Sequence, residues 1–300
     1  RSLTSVSALD TYYNLPEART LRVSTEADLV ELTKAYGELE FLGIDGVDAG
    51  LRRPEGYILF SCVDSVVKLP RSAFSVANFA YDPAAMIYLD KSGAYPDLKA
   101  KRTTMSNGFV SSGTWKILAE AAVLLSRYDF TVEEGLDLER LVPGEFAQPL
   151  LTFEQRILLE ELLAGKNAKE GFRLLRRTGF VDLHWPDLAA TYEITHSKEH
   201  HPEGNVWEHT LETFSYRKTT DLALSYGLLF HDAGKPLATP NEGRMFDKHA
   251  QIGGTVVARF LRNLGYDEGL VKDVGFLVRE HMLPSFLHEL PTYRTEKVMS

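Results

Sequence analysis

Apolar residues fall into two textures along this chain. In the first hundred residues Leu21-Arg22-Val23 reads as a short strand, residues 26–36 place Leu29, Leu32 and Ala35 on one helical face, and residues 57–67 are dense in strand formers. Gly43, Gly46 and Gly50 punctuate the join. Beyond about residue 100 the period becomes helical, with apolar stripes over 115–128, 153–163 and 168–177. The pattern predicts an α+β opening followed by an essentially all-helical remainder. Four more helices are expected over 206–217, 221–231, 249–264 and 268–282. Gly234 and Pro236 stop the second of these just past the pair His231-Asp232, which places that pair at a helix end facing a loop. No fixed-period repeat or low-complexity segment interrupts this order.

Composition narrows the class. A chain of 300 residues that is 44% hydrophobic can bury a sizeable core, which excludes disordered, collagenous and coiled-coil readings, and its length suits two or three domains. Lys and Arg number 33 against 42 Asp and Glu, a net charge of −9, so nonspecific wrapping of nucleic acid is disfavoured and any RNA site must be a local basic patch. The single cysteine, Cys62, has no intramolecular partner, and a reducing, cytoplasmic home is expected. No stretch approaches the roughly 18 apolar residues of a membrane span, and no signal-like apolar core opens the chain.

The candidate chemistry is a histidine constellation. His209, His231, Asp232, His249 and His281 are four imidazole donors and one carboxylate, each on a different expected helix or helix end apart from the adjacent pair. Such a set suits Mn, Fe, Co, Ni or Zn better than Ca, and Mg when water supplies most ligands. Adjacent residues on a helix diverge by about 100°. His231 and Asp232 can therefore share an ion only beside the helix end. A lone helical histidine is most often a plain core or surface residue. Here, however, Leu222, Leu224, Leu228, Leu229 and Phe230 lead straight into two ionisable groups, whose burial is costly unless something such as a metal compensates.

The residues resemble a known family. His201-Pro-Glu-Gly-Asn-Val-Trp-Glu-His209-Thr210, Leu228-Leu-Phe-His231-Asp232-Ala-Gly-Lys235-Pro236, Lys248-His249 and Val278-Arg-Glu-His281-Met-Leu-Pro284 are similar to the HD-domain metal-dependent phosphohydrolases, specifically the HD domain appended to bacterial CCA-adding and poly(A)-adding nucleotidyltransferases. The resemblance implies a helical domain in which His209, His231 and Asp232 hold a divalent metal (Mn, Ni, Co, Fe or Mg), with His249 and His281 completing the site or binding a second ion. Many HD proteins use a later Asp; none follows His281, and Asp273 is the substitute candidate. His231, Asp232 and Lys235 would carry phosphoester hydrolysis, and Lys235 and Arg279 would add positive charge toward phosphate.

The resemblance extends upstream. Residues 74–83 and 87–98 look like the end of a nucleotidyltransferase head of the pol β type, and residues 116–130, 153–157 and 174–180 like the helical neck. The layout it implies is a head over 1–100, a neck over 101–190 and an HD domain over 191–300. The departures matter. Where the family carries Asp-x-Asp to hold metal, this chain reads Thr20-Leu21-Arg22; its Arg-Arg-Asp stands as Arg71-Ser72-Ala73, and its base-selecting Glu-Asp-x-x-Arg as Ser112-Gly113-Thr114-Trp115-Lys116. The head is thus expected to be a scaffold or RNA-binding module inactive in transfer. The leading expectation is a phosphohydrolase acting on nucleotides or RNA phosphoesters. The alternatives are a tRNA nucleotidyltransferase or poly(A) polymerase-type RNA-processing enzyme, and a noncatalytic RNA-binding protein with a structural metal. Arg173, Arg176 and Arg177, with Lys99, Lys101, Arg102, Lys166 and Lys169, fall where family members hold tRNA, set against their commoner role as a solvated helix face.

Overall fold

The computed structural model describes residues 2–54, 56–65, 72–106, 114–133, 136–141, 144, 147–195, 204–239 and 246–283. The chain divides into two compact units, Arg1–Phe180 and Val181–Ser300. Among the described residues no helix is long and apolar enough to cross a membrane.

The first unit is built on a six-stranded sheet: β1 (Ser2–Thr4), β2 (Thr20–Thr25), β3 (Ala49–Arg53), β4 (Gly56–Cys62), β5 (Ala80–Asp82) and β6 (Ile87–Leu89), in the order β3-β4-β2-β1-β5-β6. Only β2 and β4 run parallel. The crossover between them contains α2 (Leu29–Tyr36), whose N-cap Asp28 accepts from the Glu31 amide while the Glu31 side chain accepts from Asp28. That reciprocal cap explains why the helix begins at Leu29 rather than at the expected residue 26. Leu32 of α2 closes on Ala49 and Phe60. The opening helix α1 (Val6–Tyr12), the short α3 (Tyr95–Ala100) and strands β1, β3, β5 and β6 are too short to show a period in the sequence.

Behind the sheet stand α4 (Thr114–Tyr128), α5 (Thr152–Leu163) and α6 (Ala168–Arg177), which fall within a residue of their expected bounds. Ile117, Leu118, Ala121, Ala122 and Leu124 bury one side of α4, and Ile157 of α5 packs with Tyr57 and Leu59 of β4. Two ion pairs, each with a buried carboxylate, tie these layers together. Arg127 of α4 grips Asp10 of α1 through two bonds of 2.7 and 2.9 Å, and Arg22 of β2 pairs with Glu161 of α5. The region is not wholly helical: β7 (Arg102–Thr103) and β8 (Thr131–Val132) form a two-residue parallel pair.

The second unit is helical, with α7 (Phe180–His184) at the boundary followed by α8 (Pro186–Ala189), α9 (Val206–Thr213), α10 (Leu222–Phe230), α11 (His249–Asn263) and α12 (Glu268–Glu280). Asn205, Asp221 and Asp267 cap the first-turn donors of α9, α10 and α12 by accepting backbone N–H bonds of 2.8–3.1 Å. Past Thr213 the expected helix tightens into a 3-10 turn, Phe214–Tyr216, and so ends earlier than its apolar pattern suggests. Phe230 of α10, Val257 and Leu261 of α11, and Val274 and Val278 of α12 are all buried.

Candidate metal centre

The helix ends of the second unit converge on one carboxylate. Asp232 lies just beyond α10 and is 2% exposed. Its Oδ2 faces His231 Nε2 at 3.3 Å and His209 Nε2 at 4.0 Å; its Oδ1 faces His249 Nε2 at 3.5 Å and His281 Nε2 at 3.7 Å. The five residues form two sets of metal-capable donors that share Asp232, His209–His231–Asp232 and Asp232–His249–His281, with the ligand atoms of each set within 4.8 Å of one another. His209 comes from within α9, whereas His231 and His281 are the C-caps of α10 and α12 and His249 is the first residue of α11.

Three of the rings are oriented by backbone. His231 Nδ1 meets the Leu228 carbonyl at 2.8 Å, His249 Nδ1 the Phe246 carbonyl at 2.9 Å and His281 Nδ1 the Val278 carbonyl at 2.7 Å. A carbonyl oxygen only accepts, so each Nδ1 carries a proton, and a ring that holds no second proton presents a bare Nε2 lone pair. Leu228 and Val278 lie in the last turns of their helices, where carbonyls lack intrahelical partners, so a histidine three residues on satisfies an orphan acceptor and fixes its own ring. The three lone pairs then point at a carboxylate, and His249 Nε2 stands 3.3 Å from His281 Nε2. Acceptor facing acceptor is repulsive; a cation reconciles the set.

Two positive groups in the protein modify this. Lys235 donates to Asp232 Oδ2 at 2.7 Å, with its Nζ 5.4 Å above the Phe246 ring. Burial works to raise the Asp232 carboxyl, but when a proton takes the place of a cation on His231 Nε2, the hydrogen bond and charge of that ring, with the Lys235 ammonium, outweigh burial and hold the group well below the usual carboxylate range. Burial pushes the His281 imidazole down, which makes a proton a poor cation at that ring.

The loop after Asp232 touches the start of α11. A side-chain carbon at Gly234 would collide with the His249 backbone carbonyl, so glycine is what allows the Asp232 loop and His249 to approach. Gly234→Ala is expected to lower stability by roughly 1–3 kcal/mol, read by urea unfolding, because α11 must shift and carry His249 away from Asp232.

The remaining sequence candidates lie elsewhere. Arg279 is exposed and lies along Gly254 and Gly275, whose missing side chains make room for it; the structure does not bring it to the cluster. Asp273 is exposed on α12 and belongs to neither donor set. In the first unit, Arg173 of α6 pairs with Glu170 at 3.0 Å, Arg177 is exposed and Arg176 is partly buried. Arg102 is engaged by Asp97 at 2.9 Å and Lys99 stacks on Tyr95. His201, Pro284, Arg71, Ser112 and Gly113 lie outside the described residues. Sequence reasoning missed the orienting carbonyls of Leu228, Phe246 and Val278, since a backbone acceptor has no residue signature. It also missed the buried Glu161, although two consecutive glutamates inside the apolar run 157–163 were the available signal.

A mixed sheet backed by helices and joined to a helical unit with a clustered His/Asp centre defines an α+β class of protein. No family model matches the chain. It is 34% identical over 132 residues to the CC-adding tRNA nucleotidyltransferase of Thermus thermophilus, covering 41% of this chain and 30% of that protein. It is also 27% identical over 221 residues to the multifunctional CCA protein of Psychromonas ingrahamii, covering 71% and 53%. The chain spans about half or less of the length of the curated relatives it matches. Its fold is similar to that of the Bacillus stearothermophilus CCA-adding enzyme in complex with CTP, with a TM-score of 0.51 at 14% identity over 94% of this chain and 66% of that one. A CCA-adding enzyme in apo form I gives 0.50 at 13% identity, over 100% and 79%. The chain is therefore similar in sequence, over part of its length, to a CC-adding tRNA nucleotidyltransferase, and similar in fold, over nearly all of it, to CCA-adding enzymes.

Proposed function

We propose that this protein is a metal-dependent phosphohydrolase of the HD type, acting on nucleotides or RNA phosphoesters, tRNA among them, in the cytoplasm. In this reading residues 191–300 are the catalytic domain, and residues 1–100 and 101–190 are a nucleotidyltransferase-like head and a neck that no longer transfer nucleotides. The observation that carries it is the set of three Nε2 lone pairs, fixed by backbone carbonyls and aimed at one buried carboxylate. That donor set fits a divalent transition ion, or two ions sharing Asp232. When bound, such a cation supplies Lewis-acid chemistry that activates water and offsets charge on phosphoryl oxygens. The chain's own residues do the rest. His209, His231, Asp232, His249 and His281 would hold the ion, and the Lys235 ammonium, which bonds Asp232, would be the positive side chain nearest to hand for a phosphate oxygen.

Nucleotidyl transfer to tRNA is the second reading, and the relatives favour it, since those named above include a CC-adding tRNA nucleotidyltransferase and a multifunctional CCA protein. Against it stands Arg22, a cation at the position where the resemblance puts a metal-binding carboxylate. The deciding experiment purifies the protein without chelator or added metal, measures its metal content, and assays bis-p-nitrophenyl phosphate hydrolysis with Mn, Ni, Co and Mg alongside CTP and ATP incorporation into tRNA. Bound metal with hydrolysis and no incorporation is the expected result. Incorporation without hydrolysis would overturn the first reading in favour of the second, and tRNA binding with neither activity would leave a noncatalytic RNA-binding protein.

A further inference from the structure

Eight of the nine large apolar side chains exposed in the first unit, among the described residues, gather at two places. Soluble proteins scatter such residues singly, and a contiguous group marks a surface that something covers. The first group is on α2, which buries only Leu32. Leu29 and Tyr36 stand on one helical face, Val30 flanks them, and Phe41, in the turn that follows, is 84% exposed. The second group is on and beside the edge strand β6, where Met86 is 77% exposed and Ile87, Tyr88 and Tyr95 are exposed with it. Tyr12 joins this group, its ring 5.6 Å from that of Tyr88 and 6.5 Å from that of Tyr95.

Charge distinguishes the two groups. Residues 26–41 hold Glu26, Asp28, Glu31, Glu38 and Glu40 against the single base Lys34. At the β6 end, Lys99 and Lys101 stand over the rings of Tyr95 and Tyr13 at 5.4 and 5.6 Å, and neither has a carboxylate partner among the described residues. The neighbouring acids are engaged: Asp97 with Arg102, Ser75 and Thr104, and Asp90 with the amides of Ala94 and Tyr95. An acidic apolar surface repels nucleic acid and anionic lipid, and a cationic aromatic surface is its complement. Leu32 of α2 packs on Ala49 of β3 and Phe60 of β4, so the two surfaces lie at opposite edges of the six-stranded sheet, about 24 Å apart at about 4.8 Å per strand. One molecule cannot close them on each other; two can. β6 has three residues, too few to extend a neighbour's sheet, which leaves the side chains as the contact.

We infer that a second copy of this chain covers these surfaces, the cationic β6 edge of one molecule docking on the acidic α2 face of the next in a head-to-tail contact. The inference is independent of any reaction at the histidine centre. A heterologous contact of this kind propagates into a ring or an open row, not a two-fold dimer. By sedimentation velocity the full chain is expected to self-associate with a dissociation constant of about 10–100 µM, which rises at least about threefold between about 50 and 500 mM NaCl. Val30→Gln with Phe41→Ser removes apolar surface at α2, and Met86→Asn with Ile87→Thr removes it at β6, all at positions half exposed or more. Each double variant alone is expected to be monomeric with an unchanged circular dichroism spectrum. An equimolar mixture of the two is expected to form a 1:1 dimer that grows no further, because each supplies the surface the other lacks. Self-association of either variant alone at wild-type strength would show like meeting like and overturn the inference. A mixture of folded variants that stays monomeric, or wild-type association unchanged by salt, would overturn it too. On the wild type alone, a chain monomeric up to about 500 µM would overturn it; tRNA binding by such a monomer, lost in Met86→Asn with Ile87→Thr, would assign the β6 edge to nucleic acid instead.

Discussion

Asp232→Asn is expected to eliminate metal retention and to reduce metal-dependent phosphodiester hydrolysis by about a thousandfold or more, since the several kilocalories per mole contributed by a bound cation disappear with its anionic ligand. Asp232 is the carboxylate of both donor sets, and its two oxygens face opposite pairs of imidazoles. An amide keeps the shape and loses the charge. The variant also strands Lys235, whose ammonium is mostly buried against the carboxylate, so a stability loss of about 3–5 kcal/mol accompanies the loss of metal. The sign of the pH dependence follows from the direction of the shift. Because the folded carboxyl is held well below its usual 3.8, its stabilising contribution is complete above that value and is lost only as pH falls further. Urea midpoints of the two proteins should differ at neutral pH and converge in strong acid, while inductively coupled plasma analysis reads the metal. Wild-type metal content in the variant would remove Asp232 from the centre.

Asp10→Ala is expected to cost about 3–5 kcal/mol of stability in the first unit, the largest loss anticipated there. The Asp10 side chain accepts four bonds: from Arg127 Nε and Nη2 at 2.7 and 2.9 Å, from the Tyr128 hydroxyl at 2.9 Å and from the Ala18 amide at 3.0 Å. Arg127 then spends its remaining reach on the Pro16 carbonyl at 2.8 Å. Truncating the carboxylate leaves a guanidinium 4% exposed with no counter-charge, a state more costly than the pair was beneficial. The double variant Asp10→Leu with Arg127→Met removes both charges and is expected to recover most of the loss. Equal destabilisation in the single and double variants, measured by urea unfolding, would contradict this account.

What could be read from the sequence followed length and period. The helix α6 falls on its expected residues and α4, α5 and α11 within one, because each carries several turns of apolar repeat. Three-residue strands such as β1, β5 and β6 have no room for a period, and their pairing is set by neighbours distant in sequence. The five His/Asp positions were visible as residue types, and the structure draws them and Lys235 together. Arg279 shows the limit of that reasoning. It lies two residues before His281, yet the helical turn points it away, into the groove left by Gly254 and Gly275. The internal pairing of Arg22 was equally invisible, because its partner is 139 residues downstream.

Latching three of the four imidazoles to a carbonyl three residues back has a consequence for metal traffic. These rings would keep their aim with or without a cation, so loading would be a ligand-exchange process limited by dehydration of the incoming ion. A preformed pocket of borderline donors ranks divalent ions largely in the Irving–Williams order. The ion resident at any moment would then report the supply around the protein as much as the preference of the site.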